Sequence, residues 1–219
     1  MRGWLGSTPR LFTGLAFLAT ISAFGQTAND PWLILKSGEN GPINVHTTRE
    51  DLVRAYGASN VIDQDADVGE GEIQPLTVLF AGDPQRRIEL LWKDPGQETE
   101  PAFATIRGEA SRWHAVHGIS LGTTLRELER INGRPFRFAL ANDGTDMAEE
   151  HISWQGGLLE KDFQGDGRII LSLVGPRPTN EATRKGPSDF GGDSNEPAMR
   201  KRSLYVDSLT WEFPSHIKQ

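Results

Sequence analysis

Two neighbouring segments of the chain alternate apolar and polar positions with the period of a β-strand. The segments are 76–80 and 88–92, and Gly-Asp-Pro at 82–84 separates them. Successive side chains of a strand point to opposite faces, and Gly, Asp and Pro are typical turn residues. The pattern therefore predicts a β-hairpin, and the apolar segment 103–106 predicts a third strand after it.

A helix-like segment occurs twice, with a spacing of 76 residues between the copies. Segments 48–57 and 124–133 each begin with threonine, carry an acidic residue three positions later and end with glycine. This order predicts a capping box at the start of each helix and a left-handed glycine at its end. Because two helical turns are too few to be stable alone, each helix must pack on a sheet. The apolar positions expected to face that sheet are Leu52, Ala55 and Tyr56 in the first copy and Leu125, Leu128 and Ile131 in the second.

The order of elements is the same after both helices, which predicts an α+β fold made of two related units. The strand-like segments after the second helix are 152–154, 168–174 and 204–213. We expect the first unit to cover 26–100 and the second 101–219, each with one short helix packed on an antiparallel β-sheet. Residues 176–202 include four prolines and few large apolar side chains, so we expect a mobile insert there.

The amino-terminal segment, 1–25, has the order of a secretory signal peptide. Residues 1–10 carry two arginines and no acidic residue, 11–24 are predominantly apolar, and small residues lead to Gly25. The apolar run of 14 residues is shorter than the ~20 that span a membrane. We therefore expect cleavage after Gly25 and a periplasmic or secreted protein with no transmembrane segment after processing.

Composition narrows the classes of partner and cofactor. Removal of 1–25 would leave 194 residues with a net charge of −9. Such an acidic surface repels phosphate backbones, so nucleic acid is not expected as a partner. The absence of cysteine excludes disulfides, thiolate zinc sites, iron–sulfur clusters and cysteine nucleophiles. We predict no cofactor.

One segment of the second unit resembles a family of envelope proteins. Residues 118–128 read Gly-Ile-Ser-Leu-Gly-Thr-Thr-Leu-Arg-Glu-Leu, and the helix ends in Gly-Arg-Pro-Phe at 133–136. This segment resembles the first segment of the outer-membrane-assembly lipoprotein BamE and of the related β-lactamase-inhibitor-protein superfamily. Residues 43–59 carry a looser version, with His46 at the glycine position. The resemblance implies helices on an antiparallel sheet, arranged in tandem as in the inhibitor protein, and a non-enzymatic binding role in the cell envelope. The missing lipidation cysteine departs from the lipoprotein members.

The same segment contains a candidate for catalysis. Gly118 to Gly122 match the Gly-x-Ser-x-Gly pattern of a hydrolase nucleophile elbow, with Ser120 as nucleophile and His151 or His216 as base. An elbow serine follows a buried apolar strand, whereas the preceding residues 111–117 are polar. We therefore expect Ser120 to be a structural residue of the repeat, and an exported serine hydrolase is the alternative function.

Acidic residues and histidines offer two candidate metal sites. Asp63, Asp65 and Asp67 supply the oxygen ligands that calcium binds, but the stretch lacks the later bidentate glutamate of an EF-hand. We expect a solvated hairpin loop there. His114 and His117 form a spaced pair without a second histidine cluster to complete a site. We predict no metal site at either place.

Three tryptophans are candidates for a binding surface. Trp92, Trp154 and Trp211 lie in predicted strands, where a tryptophan either fills the core or, when exposed, forms the centre of an interface. The leading hypothesis is an exported, non-enzymatic binding or envelope-associated module that recognises another envelope or secreted protein through a sheet face.

Overall fold

Eleven strands and four α-helices form the part of the chain that the computed structural model describes, which is residues 30–34, 43–67, 71–139, 152–165, 167–175 and 191–214. In chain order they are β1 (Leu33–Ile34), α1 (Arg49–Tyr56), β2 (Val61–Asp67), β3 (Ile73–Leu79), β4 (Ile88–Asp94), β5 (Thr99–Arg107), β6 (His114–Ala115), α2 (Leu125–Asn132), β7 (Arg137–Ala139), β8 (Ile152–Ser153), α3 (Glu160–Phe163), β9 (Ile169–Val174), β10 (Gly191–Asp193), α4 (Pro197–Lys201) and β11 (Tyr205–Glu212). No helix within these ranges is long and apolar enough to cross a membrane.

Six strands form one antiparallel sheet in the order β2-β3-β4-β5-β11-β9. β3 and β4 are the predicted hairpin and β5 is the predicted third strand, so both predictions are confirmed. The sheet is continuous where β5 pairs with β11, and the boundary expected between residues 100 and 101 falls inside β5. The coarse prediction of short helices with antiparallel sheets is therefore confirmed.

Two smaller sheets complete the fold. β1 and β6 form a short parallel pair, and β10, β7 and β8 form a three-stranded antiparallel sheet in that order.

Residues 191–202 differ from the expected mobile insert, because they form β10 and α4. Their attachment is specific: the Phe136 N–H donates to Ser194 Oγ at 3.0 Å, and Met199 is fully buried. Residues 176–190, the rest of that predicted insert, lie outside the described residues.

The capping boxes predicted from the sequence are present at both longer helices. Thr48 Oγ1 accepts from the Asp51 N–H of α1, and Thr124 Oγ1 accepts from the Glu127 N–H of α2. The carboxylates of Asp51 and Glu127 accept in return from the backbone N–H of the respective threonine. Gly133 is left-handed as expected.

Gly57 departs from the expected left-handed helix end. It keeps a positive φ of 85° but has ψ of 146°. With this ψ it leads directly into a 3₁₀-helix, Ala58–Asn60, before β2.

The residues next to each cap attach the helix to the sheet. Before α1, the Glu100 N–H donates to Thr47 O at 3.0 Å, and the Arg49 N–H donates to Glu98 O at 3.0 Å. These bonds join the start of the helix to the start of β5. An eight-residue helix is not stable alone, so this anchorage fixes its position on the sheet.

The start of α2 is attached to β11 by the same pair of bonds. The Val206 N–H donates to Thr123 O at 2.9 Å, and the Leu125 N–H donates to Leu204 O at 2.9 Å. The two helix starts also share the hydrogen bond that precedes the N-cap. Before α2, the Ser120 N–H donates to Thr123 Oγ1 at 3.0 Å. Before α1, the Asn44 N–H donates to Thr47 Oγ1 at 2.8 Å.

α1 buries one leucine, Leu52, and α2 buries two, Leu125 and Leu128. Leu52 and Leu128 are fully buried against the sheet, as predicted. The first apolar stripe is narrower than expected, because Ala55 is exposed and Tyr56 is half-buried. On the sheet, the same face carries the buried side chains Val61, Leu79, Ile88, Leu90, Ala104, Ile106, Leu209, Trp211, Ile169 and Leu171.

Truncation of either leucine should destabilise the protein strongly. We expect Leu52→Ala and Leu128→Ala each to lower the free energy of unfolding by about 2–5 kcal/mol, through lost transfer free energy and the cavity that remains. Urea unfolding measures this, with the exposed Arg130→Ala as control. A loss below about 1 kcal/mol at either leucine would show that its helix does not pack on the sheet.

Stability should fall in acid because of the two caps. Hydrogen bonds from the Thr48 side chain and backbone lower the pKa of Asp51 from its ordinary 3.8. Hydrogen bonds from the Thr124 backbone and side chain lower the pKa of Glu127 from its ordinary 4.5. A lowered pKa stabilises the folded state above the unfolded-state pKa, and this contribution is lost as pH falls through the folded-state pKa.

The double variant Asp51→Asn with Glu127→Gln should therefore lose less stability than the wild type between about pH 6 and pH 3. Urea unfolding across that range measures the difference. Glu50→Gln, in the same first turn as Asp51, is the control. An unchanged pH dependence in the double variant would contradict the role of the caps.

Candidate binding surface

The six-stranded sheet has a second face, opposite the helices, which we call the outer face. Directly paired residues in antiparallel strands place their side chains on the same face. One row of pairs crosses all six strands of this face: Ile62, Val78, Glu89, Thr105, Thr210 and Ile170. Five of these six are at least partly exposed, whereas Val78 is buried.

Charged groups at the middle of the outer face are held by one another. Glu89 accepts from Arg87 at 2.9 Å and lies 3.6 Å from Arg107. Arg87 also donates to Gln64 on β2 at 3.1 Å. Beside this network the hydroxyls of Thr105 and Thr210 are 2.9 Å apart. These polar side chains are thus held in place by contacts with one another.

Apolar side chains flank this polar centre. Leu91 pairs directly with Phe103, and both are half-buried on the outer face, as are Leu76 and Ile170. Next to Phe103 on β11 lies Glu212, which accepts from Arg168. The outer face therefore combines partly exposed apolar groups with charges that already have partners.

The three candidate tryptophans all lie in the core. Trp92, Trp154 and Trp211 are at most 3% exposed. The Trp92 indole N–H donates to Thr77 Oγ1 at 2.8 Å, and Trp211 packs edge-on against Trp113. None of the three presents its ring to a partner in this structure.

Ser120 lies in a turn that lacks the geometry of a nucleophile elbow. Its backbone makes an isolated antiparallel bridge with His114, and a 3₁₀-helix, Val116–Gly118, precedes it. The positive φ angles of this turn fall on His117, Gly118 and Gly122, not on Ser120. The proposed bases, His151 and His216, lie outside the described residues.

The acidic stretch is a strand and not the expected loop. Asp63, Asp65 and Asp67 all lie in β2, which pairs with β3 along its whole length. Asp63 accepts from Arg49 and from Thr77. In the described part of the chain no group of three or more histidine, aspartate or glutamate side chains could hold a metal ion.

The histidine pair is divided between two environments. His114 lies in β6, while His117 has a left-handed backbone and its Nε2 lies 3.0 Å from Asp162 Oδ2 of α3. This contact joins the turn before α2 to α3, which is a structural role.

Sequence reasoning missed Leu91 and Phe103 as surface residues. Both are large apolar residues in strands, and they lie on the face opposite Leu90 and Ala104, their buried neighbours in the chain. The strict alternation of a strand could have indicated this, because one of two adjacent apolar residues must leave the core face.

No protein-family model, no curated protein and no solved structure matches this chain.

The Ser120 hydroxyl should matter little for stability. It is the Ser120 backbone N–H that bonds to Thr123 Oγ1, so we expect Ser120→Ala to change the free energy of unfolding by about 0.5 kcal/mol or less. Thr123→Val removes the acceptor and should cost about 1 kcal/mol. Urea unfolding compares the two variants. A larger loss for Ser120→Ala than for Thr123→Val would contradict this account of the turn.

Proposed function

We propose that this chain is an exported, non-enzymatic binding protein that recognises another envelope or secreted protein through its outer face. The observation that carries the proposal is the pairing of Leu91 with Phe103 beside charges that are already neutralised by neighbours. Such a mixture of apolar and satisfied polar groups is the composition of a non-obligate protein interface.

The outer face is prepared for binding at low entropic cost. Fixed side chains lose little freedom when a partner arrives, and the Arg87–Glu89–Arg107 network is fixed by its own hydrogen bonds. Phe103 supplies the large apolar contact that typically dominates an interface, with polar residues around it to exclude water. The buried tryptophans are not part of this surface.

Export is the second part of the proposal, and the amino-terminal pattern supports it. Basic residues, an apolar run and small residues before Gly25 follow in the order of a signal peptide. The periplasm or the external medium is the compartment this order implies.

The third part is that the fold consists of two related units, as in a tandem BamE-like or inhibitor-like protein. Two observations support it. The hydrogen bonds around Thr47 and Thr48 recur around Thr123 and Thr124, 76 residues later. The second observation is the strand order β4-β5-β11-β9. β5, which is anchored to α1, and β11, which is anchored to α2, lie at its centre. They are flanked by β4 and β9, the long strands that come before them in the chain.

Site-specific photo-crosslinking tests the binding surface. The photoreactive residue p-benzoylphenylalanine at position 103 or 91 should give a discrete crosslinked product in an envelope extract of the source cells. The same residue at position 55, on the exposed side of α1, is the matched control and should give none. Leu91→Asp should reduce the product formed from position 103 by at least about tenfold, because it puts a charge into the apolar contact.

Two results would contradict the proposal. Crosslinking from position 55 with none from 91 or 103 would move the binding surface to the helices. Products of equal yield from all three positions, unchanged by Leu91→Asp, would indicate non-specific contact.

A further inference from the structure

The two edges of the six-stranded sheet differ in exposure. In the described part of the chain, β2 and β9 are the edge strands. Most of β9 is buried, whereas residues 62–65 of β2 are exposed one after another. Ile62 and Ile73 of the β2–β3 hairpin are also two of the three exposed large apolar residues in the described chain. The exposed edge is therefore β2.

The backbone of β2 presents free hydrogen-bonding groups at alternate residues. The Phe80 N–H donates to Asn60 O at 2.9 Å, so Asn60 faces β3. Groups alternate along an antiparallel strand, which turns the N–H and C=O of Asp63 and Asp65 away from β3. Val61 has the same outward orientation, and its carbonyl accepts from Arg49 at 3.4 Å. Arg49 thus occupies one end of the edge, and the open groups begin at Asp63.

The side chains of this edge select a partner of opposite charge. Asp63 and Asp65 project to one side of the strand, while Ile62 and Gln64 project to the outer face. Gln64 already accepts from Arg87, so a basic residue opposite Gln64 would meet a positive charge. Asp63 is already paired with Arg49, so a basic residue is favoured opposite Asp65 and an apolar residue opposite Ile62.

A second copy of this chain fits the edge poorly. Two β2 strands paired antiparallel about Gln64 would place Asp63 of each opposite Asp65 of the other. Like charges directly opposite each other destabilise a strand pair. The acidic side chains thus oppose self-association and leave the edge to a strand of different sequence.

We propose that β2 is a docking edge for an extended polypeptide segment with a basic residue opposite Asp65 and apolar residues at the neighbouring positions. The segment adds to the sheet as a seventh strand, with its backbone bonded to Asp63 and Asp65. This inference goes beyond the outer-face function and does not depend on it. A strand added here would also extend the outer face next to Ile62.

The probe for this edge is the acetylated and amidated peptide Lys-Val-Lys-Val-Lys-Val. Hydrogen exchange of the full mature chain, followed by NMR, measures the exchange rate of each backbone amide of β2. In the free protein the outward amides of Asp63 and Asp65 should exchange faster than those of Ile62 and Gln64, which face β3. Saturating peptide should slow exchange at Asp63 and Asp65 by at least about tenfold, because strand addition protects these amides.

Control peptides separate strand addition from general charge attraction. Glu-Val-Glu-Val-Glu-Val should give no protection, because its carboxylates oppose the aspartates. The lysine peptide with N-methylated lysine amides keeps its charge but loses backbone donors, and it should give none either. Added salt should weaken binding of the unmodified lysine peptide, because the charges that attract it are exposed and are screened by salt.

Two variants at one position test the backbone contact. Asp65→Pro removes the outward N–H without breaking the bonds between β2 and β3, and edge strands tolerate proline there. It should weaken peptide binding at least about tenfold, whereas Asp65→Ala, which keeps the donor, should weaken it less. Urea unfolding checks that both variants fold. Phe103→Asp changes the outer face and not the β2 edge, so it should leave peptide binding unchanged. Failure of the docking-edge inference and failure of the outer-face proposal therefore give different results.

Three outcomes would overturn the docking edge. The first is no protection of Asp63 and Asp65 at about 1 mM lysine peptide. The second is equal protection by the N-methylated peptide, which would mean charge attraction without strand addition. The third is protection that grows with protein concentration in the absence of peptide, which would assign the edge to a second copy of the chain.

Discussion

The fold depends on the hydrogen bonds that join the residues on either side of each N-cap threonine to the start of a central strand. Thr47 bonds to β5 and Thr123 to β11, while Arg49 and Leu125 bond to the residues immediately before these strands. Helices of eight residues are unstable in isolation, so their position and direction follow from this anchorage and from the leucines that they bury. β5 and β11 pair with each other, so both helices cover the same face of one sheet.

Because the helices cover one face of the sheet, the other face has a different composition. Strands alternate their side chains, so every buried residue such as Leu90 has neighbours that point to the outer face. There the chain combines Leu91 and Phe103 with paired charges, the combination on which the proposed binding role depends. The proposed docking edge, β2, is distinct from this face, because it would bind through backbone groups and not through a side-chain surface.

Local features of the fold could be predicted from the sequence, and non-local ones could not. Both capping boxes and the hairpin between β3 and β4 involve residues close together in the chain, so their patterns are direct. The aspartates of β2 predict a solvated loop, yet pairing with β3 and the ion pair with Arg49 determine a strand. The attachment of Ser194 to Phe136 connects residues far apart in sequence, which no local pattern reveals.

The solvent accessibility of leucine and isoleucine methyl groups in the free protein is the most direct test of a sheet with one covered and one open face. NMR relaxation with a soluble paramagnetic agent measures it. The account predicts strong relaxation enhancement at the methyl groups of Leu91 and Ile170 on the outer face, and little at those of Leu52 and Leu128 beneath the helices. Equal protection of Leu91 and Leu52 would show that the outer face is covered within the free chain, and would contradict its role as a binding surface.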